Sequence, residues 1–497
     1  MRAMLFACCG LALAASVEAQ GGGTWETKSP MRQPRSGVAA TVDGKIYQIG
    51  GWWTWDSPVV NVEEYDPATD TWVVKGPMQN PRSPGAAVTL DGKVYVIAGY
   101  YGGGSYADTV NEYDAATDTW RVRASLPVRA VGASAAVLDG KIHAFGGNVA
   151  RRAHYQYDPA MNVWTAKATM LHERYMGGGV ALNGRIYAVG GHSTTEGYLS
   201  SVEAYDPATN TWVEVAPMSV GRFVPYVAAL NGKIYVFGGH GPSGDSLASG
   251  EEYDPESNVW RPVTPMPTAR AGAATGVVHG VVYLFGGATA AGGHTEFLSS
   301  AIAFTPPTAS LQLTKSTVTG CLNASARITL PEPAPAGGVT VTLHSDNPNA
   351  TVPSSVTVKA GATKKSFPVE TSAVAASETA TIEASLPEGV ASAVLTLEPM
   401  GVKSVTLTPN PVVGGVTVAG LLTLPCPAGP GDIAVTLTST KAFIAEPTTD
   451  TILIPVGTQD MPFEVRTTPV FAPVSLAIKA TANEATKSRK LTMEPAP

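Results

Sequence analysis

The chain has 497 residues, 44% of them apolar, enough for about three folded domains at the usual ~150 residues each. Lys and Arg number 33 against 40 Asp and Glu, a formal charge of −7, so the basic excess that binding to a phosphate backbone requires is missing and no nucleic-acid partner is expected. No phosphate-cradling loop, dinucleotide fingerprint, H-E-x-x-H helix or G-x-S-x-G elbow occurs, so the familiar catalytic motifs are absent.

Residues 1–19 read as a secretory signal peptide. Arg2 supplies the positive end, "LFACCGLALAA" from Leu5 to Ala15 the apolar core, and Val17-Glu18-Ala19 a small-residue cleavage site. That core is too short for the ~20 residues a membrane span needs, and no other candidate span is present. The expectation is a secreted, cell-surface or periplasmic protein without a transmembrane segment. Cys8 and Cys9 leave with the signal. Cys321 and Cys426 remain, either paired in an oxidising compartment or as two free buried thiols.

From residue 20 to about 307 the text repeats. The second glycine of a doublet, or its equivalent, falls at Gly51, Gly99, Gly147, Gly191, Gly239 and Gly287, and a tryptophan keeps the same beat at Trp25, Trp72, Trp120, Trp164, Trp212 and Trp260. Each unit holds an alternating strand, an Asp-Gly or Asn-Gly turn such as Asp91-Gly92, a return strand, a third strand ending near Tyr-Asp-Pro, and a fourth opened by the tryptophan. His279-Gly280 is the one turn lacking Asp or Asn. Six such antiparallel units predict a six-bladed β-propeller. The last unit ends "AIAFTP" without its tryptophan, whereas "TWETKSPM" at 24–31 copies a fourth-strand text. The N-terminal segment is therefore expected to complete blade six and close the ring.

The glycine doublet, spaced tyrosine and tryptophan at a period near 48 resemble the kelch repeat, over roughly Thr24 to Thr305. Copper radical oxidases of the galactose oxidase type share that propeller but need a tyrosine cross-linked to a cysteine. No cysteine remains here after the signal, so that activity is disfavoured.

Past Pro306-Pro307 no Trp or Tyr occurs, and Thr, Val, Ala and Pro take over with period-2 alternation. "ITLPEPAPAGGVTVTLHSDN" from Ile328 and "LTLPCPAGPGDIAVTLTSTK" from Leu422 align at an offset of 94, and Phe367–Thr371 and Phe463–Thr467 at 96. Two β-sandwich domains, 308–400 and 401–497, are predicted. They resemble the immunoglobulin-like repeats of bacterial surface proteins in architecture alone. The whole chain is expected to be all-β.

Two sets of positions are candidates for a site. An arginine precedes the first strand of each unit: Arg35, Arg82, Arg129, Arg174, Arg222 and Arg270. Either these six guanidinium groups ring one mouth of the channel and capture carboxylates, or each pairs within its own blade to hold the loops. The kelch resemblance implies the first, since arginines at this place bind acidic peptides in kelch adaptors. The second set directly follows the doublet: Trp52, Tyr100, Asn148, His192, His240 and Ala288, with Trp53, Trp55, Tyr101 and Tyr106 close by in the loops. Aromatic groups there stack on sugars or fill peptide pockets, or simply pack the loops. His192 and His240 have no cysteine or spaced carboxylate beside them, so no metal and no cofactor are expected.

The reading that results is a monomeric, exported kelch-type binding protein, not an enzyme, that takes a carbohydrate or protein ligand on an arginine- and aromatic-lined face. The alternatives are a sugar-processing enzyme similar to kelch mutarotases that act on sialic acid, and a purely structural exoprotein.

Overall fold

Each Asp-Gly or Asn-Gly pair sits at the tip of an antiparallel hairpin in the computed structural model, which describes residues 22–53, 59–80, 82–272, 274–331, 333–386 and 389–497, and only the backbone at Pro84. The signal segment 1–19 and Trp55 lie outside those residues. The first turn residue takes the left-handed conformation in every unit, from Asp43 (φ 48°) to His279 (φ 47°), so His279 fills a position that Asp or Asn occupies elsewhere.

The described residues of Met1–Pro307 form six four-stranded antiparallel sheets. Blade one runs Ser36–Val42, Lys45–Trp52, Val62–Asp66 and Thr71–Lys75. Blades two to five occupy 83–123, 133–166, 178–215 and 226–263 in the same order. First strands of successive blades neighbour one another, and the first strand of blade six lies against that of blade one, so the ring closes around an axis.

Closure is made by the N-terminal segment. Thr24–Lys28 pairs with Ala301–Thr305 as the outer strand of blade six, with Trp25 opposite Phe304, as the copied text predicts. The exposed edge that three strands would leave is thereby removed.

Side chains named by the repeat stitch the blades together. The tyrosines Tyr65, Tyr113, Tyr157, Tyr205 and Tyr253 are fully buried, and each hydroxyl donates to the carboxylate or amide oxygen five residues on, from Asp70 to Asn258. That same oxygen accepts a backbone N–H from the preceding blade, such as Ser29 for Asp70 and Ala216 for Asn258. Each repeated tryptophan donates Nε1–H to a carbonyl of the preceding blade at 2.8–3.0 Å. A buried phenol bonded to a carboxylate is costly to ionise, and burial pushes Tyr65 and Tyr113 well above the ordinary tyrosine range. The Tyr-Asp-Pro and Trp elements are thus architecture.

Thr308–Pro497 is one compact unit holding two sandwiches. The first packs a four-stranded sheet containing Ala324–Thr329 and Lys364–Thr371 on a five-stranded sheet containing Val339–Ser345, Glu378–Leu386 and Gly389–Glu398. The second repeats that strand order with Val418–Thr423 and Asp460–Thr467 facing Ile433–Ser439, Val474–Ala482 and Ala485–Glu494. Phe367 and Phe463 fill matching places in two separate cores. Cys321 of the first sandwich is disulfide-bonded to Cys426 of the second, with 6.0 Å between Cα atoms. Of the two alternatives for these residues, the pair is realised. Their non-equivalence in the repeats follows from it, because the bond joins one end of a sandwich to the opposite end of the next. Among the described residues no helix is long and apolar enough to cross a membrane.

Candidate functional site

The glycine doublets are where blade becomes site. In blade four Gly190 and Gly191 both have positive φ (60° and 101°), which turns the chain off the second strand toward the axis. The N–H of Gly191 then bonds the carbonyl of Arg222 in the next blade at 2.8 Å, and Gly147, Gly239 and Gly287 do the same to Arg174, Arg270 and Arg35. A Cβ on Gly146 would lie 2.6 Å from the Arg174 carbonyl, so the close approach itself selects glycine.

The residue after the doublet then pairs with the residue after the arginine of its own blade: Trp52 with Ser36, Tyr100 with Ser83, His192 with Tyr175, His240 with Phe223, and Ala288 with Ala271. Together these segments wall a cavity of about 440 Å³ on the channel axis, in the size range of small-molecule pockets. Trp52, Tyr100 and Tyr106 line one side, with ring centres 5.3 and 5.8 Å apart in sequence, and Tyr175 and Phe223 line the other at 5.7 Å. Tyr198 stacks behind Phe223 at 5.6 Å and 8°. His240 contributes a polar edge. Burial lowers its imidazole pKa, and the Gly244 backbone, as an acceptor for the ring, opposes the shift.

Backbone bonds run from blade to blade around this cavity. Met176 N–H reaches Gly132 O, Val224 N–H reaches Met176 O, Gly272 N–H reaches Val224 O, and Ser36 Oγ donates to Gly272 O. Gly132, Met176, Val224 and Gly272 all have φ between 52° and 69°. For β-branched Val224 that is strain, of the kind that persists where the surrounding structure dictates a site's shape.

The arginines are elsewhere in character. Arg35, Arg82, Arg174, Arg222 and Arg270 are buried, at 3% exposure or less. Arg35 pairs with Glu63 at 2.8 Å, Arg174 with Glu203 at 2.9 Å and Arg222 with Glu251 at 2.9 Å, while Arg82 bonds Asn111. Arg174 and Arg222 also donate to the carbonyl of the first glycine of their own doublet, at 2.9 Å each. Arg270 finds the Gly286 carbonyl and no carboxylate, Ile302 standing where the glutamate would be. The expectation of a guanidinium ring around the mouth is therefore corrected for these five: each holds its own blade together. Burial lowers the Arg174 pKa while Glu203 opposes the shift.

Arg129 is corrected differently. The tryptophan steps of 48 and 44 residues around blade three place the arginine slot at Ala130, whose carbonyl accepts the Gly99 N–H as the arginine carbonyls do elsewhere. Arg129 is one residue out of register and exposed, 3.9 Å from the Asp108 carboxylate. Of the second set, Trp52, Tyr100, His240 and Ala288 line the cavity. Asn148 does not line it but pairs across its blade with Val131, the residue after the arginine slot, its side-chain oxygen accepting the Val131 N–H at 2.9 Å and its own N–H reaching the Val131 carbonyl at 3.1 Å. His192 stands behind the wall, edge-on to Phe223 at 6.0 Å.

Sequence reasoning missed Tyr175, Met176, Phe223 and Val224. They follow the repeated arginine directly and vary from unit to unit, the same signal that singled out the residues after the doublet. It also missed Arg151, whose guanidinium lies 5.6 Å from the ring centre of Tyr175, a residue of the cavity lining. No cluster of three or more metal-ligating side chains occurs among the described residues.

A family model of the Attractin/LZTR1 β-propeller matches residues 21–241, and a kelch motif model matches residues 227–267. The solved structure of YjhT is 16% identical, covering 56% of this chain and 97% of its own, with a TM-score of 0.48. No curated protein matches the chain. The N-terminal unit is a kelch-type β-propeller.

Proposed function

We propose that this protein is an exported, monomeric recognition module that holds a carbohydrate or protein ligand in the aromatic cavity at the propeller mouth, with the two sandwiches as its support. One observation carries the reading. Separate blades contribute Trp52, Tyr100, Tyr175 and Phe223 to a single cavity of about 440 Å³, while the repeated polar residues are consumed inside the blades. Rigid rings in a concave site offer large contact area at little entropic loss, and suit the flat faces of sugars or the side chains of a peptide. The Cys321–Cys426 disulfide supports export to an oxidising compartment.

Glycan and protein arrays probed with the purified chain test this. A ligand is expected whose affinity falls about tenfold or more in Tyr100→Ala and Phe223→Ala, as for centrally placed aromatic anchors. Binding that is indifferent to both substitutions overturns the reading. A sugar-processing role similar to a sialic-acid mutarotase is the second reading, favoured by the His240 imidazole in the cavity lining and the Arg151 guanidinium over the Tyr175 ring. It predicts faster anomeric exchange of sialic acid by NMR, and an unchanged exchange rate with purified protein removes it.

A further inference from the structure

The two sandwiches share a strand order but not the chemistry of their corresponding ends. In the first, the loops near Cys321, Asn349 and Ala373 seat the second sandwich: Cys321 bonds Cys426, the Gly429 N–H donates to Ala373 O at 3.1 Å, and Ala373 bridges Ala428. The matching end of the second sandwich is built from loops around Gly415, Phe443 and Phe471. They are held together by bonds from Thr468 N–H to Ile444 O at 2.8 Å and from Gly415 N–H to Thr467 Oγ1 at 3.0 Å.

Aligned at the repeat offsets, the changes in charge and in aromatic content run one way. Ala375 becomes Phe471, Asn349 becomes Ile444, and Phe443 is an insertion between aligned neighbours. Asp346 becomes Thr440 and Glu378 becomes Val474, so two carboxylates are lost, while Asn347 becomes Lys441. The equivalence is structural as well: Asp346 Oδ1 accepts the Thr381 N–H, and Thr440 Oγ1 accepts the Ala477 N–H, 96 residues later. Phe471 is wholly exposed, Phe443 is 81% exposed and Val416 about half exposed. Lys441 is the one charge within residues 414–417, 440–444 and 468–473. The next carboxylates, Glu446 and Glu494, belong to the flanking strands.

We infer that this end of the second sandwich inserts into a lipid surface carrying anionic headgroups. Two aromatic rings projecting without neighbours from loops that have shed their carboxylates match an apolar interface bounded by negative charge, to which Lys441 is complementary. The first sandwich meets the second through a disulfide, and the cysteine that makes it is not retained here, Gly415 standing at the place of Cys321.

Flotation of the full purified chain with phosphatidylcholine vesicles, with and without phosphatidylglycerol, decides the matter. The wild type is expected to float with the anionic vesicles. Phe443→Ser/Phe471→Ser is expected to lower partitioning about tenfold or more, since each buried phenyl group contributes at least that factor. Its melting temperature should be unchanged, because both rings are largely exposed. Lys441→Glu should weaken binding to the anionic vesicles and leave the weaker binding to pure phosphatidylcholine as it was. Absence of flotation, or a double variant that floats like the wild type, overturns the inference. So does self-association that the double variant abolishes without any vesicle binding, which would assign the tip to a second copy of the chain.

Discussion

Trp25 donates its indole N–H to the carbonyl of Thr264, 2.9 Å away across 239 residues of sequence. It is the same bond that Trp260 makes to Ala216 within ordinary chain order, here made by the first described strand of the propeller to its fifth blade. The ring is therefore closed by side chain as well as by strand pairing, and Trp25 also packs against Phe237 and Phe304 with ring centres 5.0 Å apart.

Trp25→Ala is expected to destabilise the propeller by about 2–4 kcal/mol, the upper part of the range for truncating a large aromatic being reserved for fully buried rings. Thermal unfolding followed by tryptophan fluorescence and circular dichroism measures it. Trp53→Ala, at an exposed position, is the control and should leave the midpoint in place.

Arg222→Ala should be a stability variant. It leaves the Glu251 carboxylate buried without its cation, a loss of about 3–5 kcal/mol for breaking one side of a buried pair. Arg222→Ala/Glu251→Gln should recover much of that loss, because the uncompensated charge goes with it. Chemical denaturation of the four members of the cycle gives the coupling. Additive losses would return the arginine to the list of candidate ligand contacts.

Blade three carries a buried pair, His143 Nδ1 and His154 Nε2 at 2.8 Å, where the other blades have tyrosine at the first position and Val, Gly or Ala at the second. Burial holds His143 at about 4 and His154 at about 3, the latter helped by the charge of its neighbour. Both folded values lie below the ordinary histidine pKa. As pH falls from about 6.5 toward 4, the unfolded chain takes up protons that the folded chain refuses, and stability drops by at most about 1.4 kcal/mol per pH unit for each histidine. The contribution of this pair to stability is accordingly fullest above pH 6.5. Denaturant midpoints between pH 7.5 and 4.5 should fall with pH in the wild type and fall less steeply in His143→Tyr/His154→Val, which restores the residues of the other blades.

His172 shows the opposite sign. Burial would lower its pKa, but Glu196 at 3.0 Å and Glu214 on its other nitrogen outweigh that and raise it. Its stabilising contribution is present below the ordinary histidine pKa and lost as pH rises through the folded one. NMR titration of the ring protons should place His172 above, and His143 below, an exposed histidine.

Peptide mapping without reductant should recover Cys321 and Cys426 in one linked species. Cys321→Ser/Cys426→Ser is expected to destabilise the C-terminal unit by about 2–4 kcal/mol, as loss of a long-loop disulfide does, with the propeller transition unmoved.

Much of the propeller was legible in the residues themselves because its determinants are local. An Asp-Gly turn needs positive φ whatever surrounds it, a glycine doublet marks a close approach, and a fourth-strand text out of place at residues 24–31 announces where it will pair. The cavity was half legible: variation after the doublet pointed to Trp52, Tyr100 and His240, but the matching variation after the arginine went unread. What the chain alone left open was which way a repeated polar side chain faces. Arg174 stands the same distance from its tryptophan whether its guanidinium meets solvent or Glu203, and only the packed blade, which brings that glutamate over from its third strand and closes both off from water, decides between them. The joining of Cys321 to Cys426 was settled the same way, since it depends on a contact between segments that spacing along the chain does not measure, whereas the register of Ala130 against Arg129 was present in the tryptophan steps and went unread.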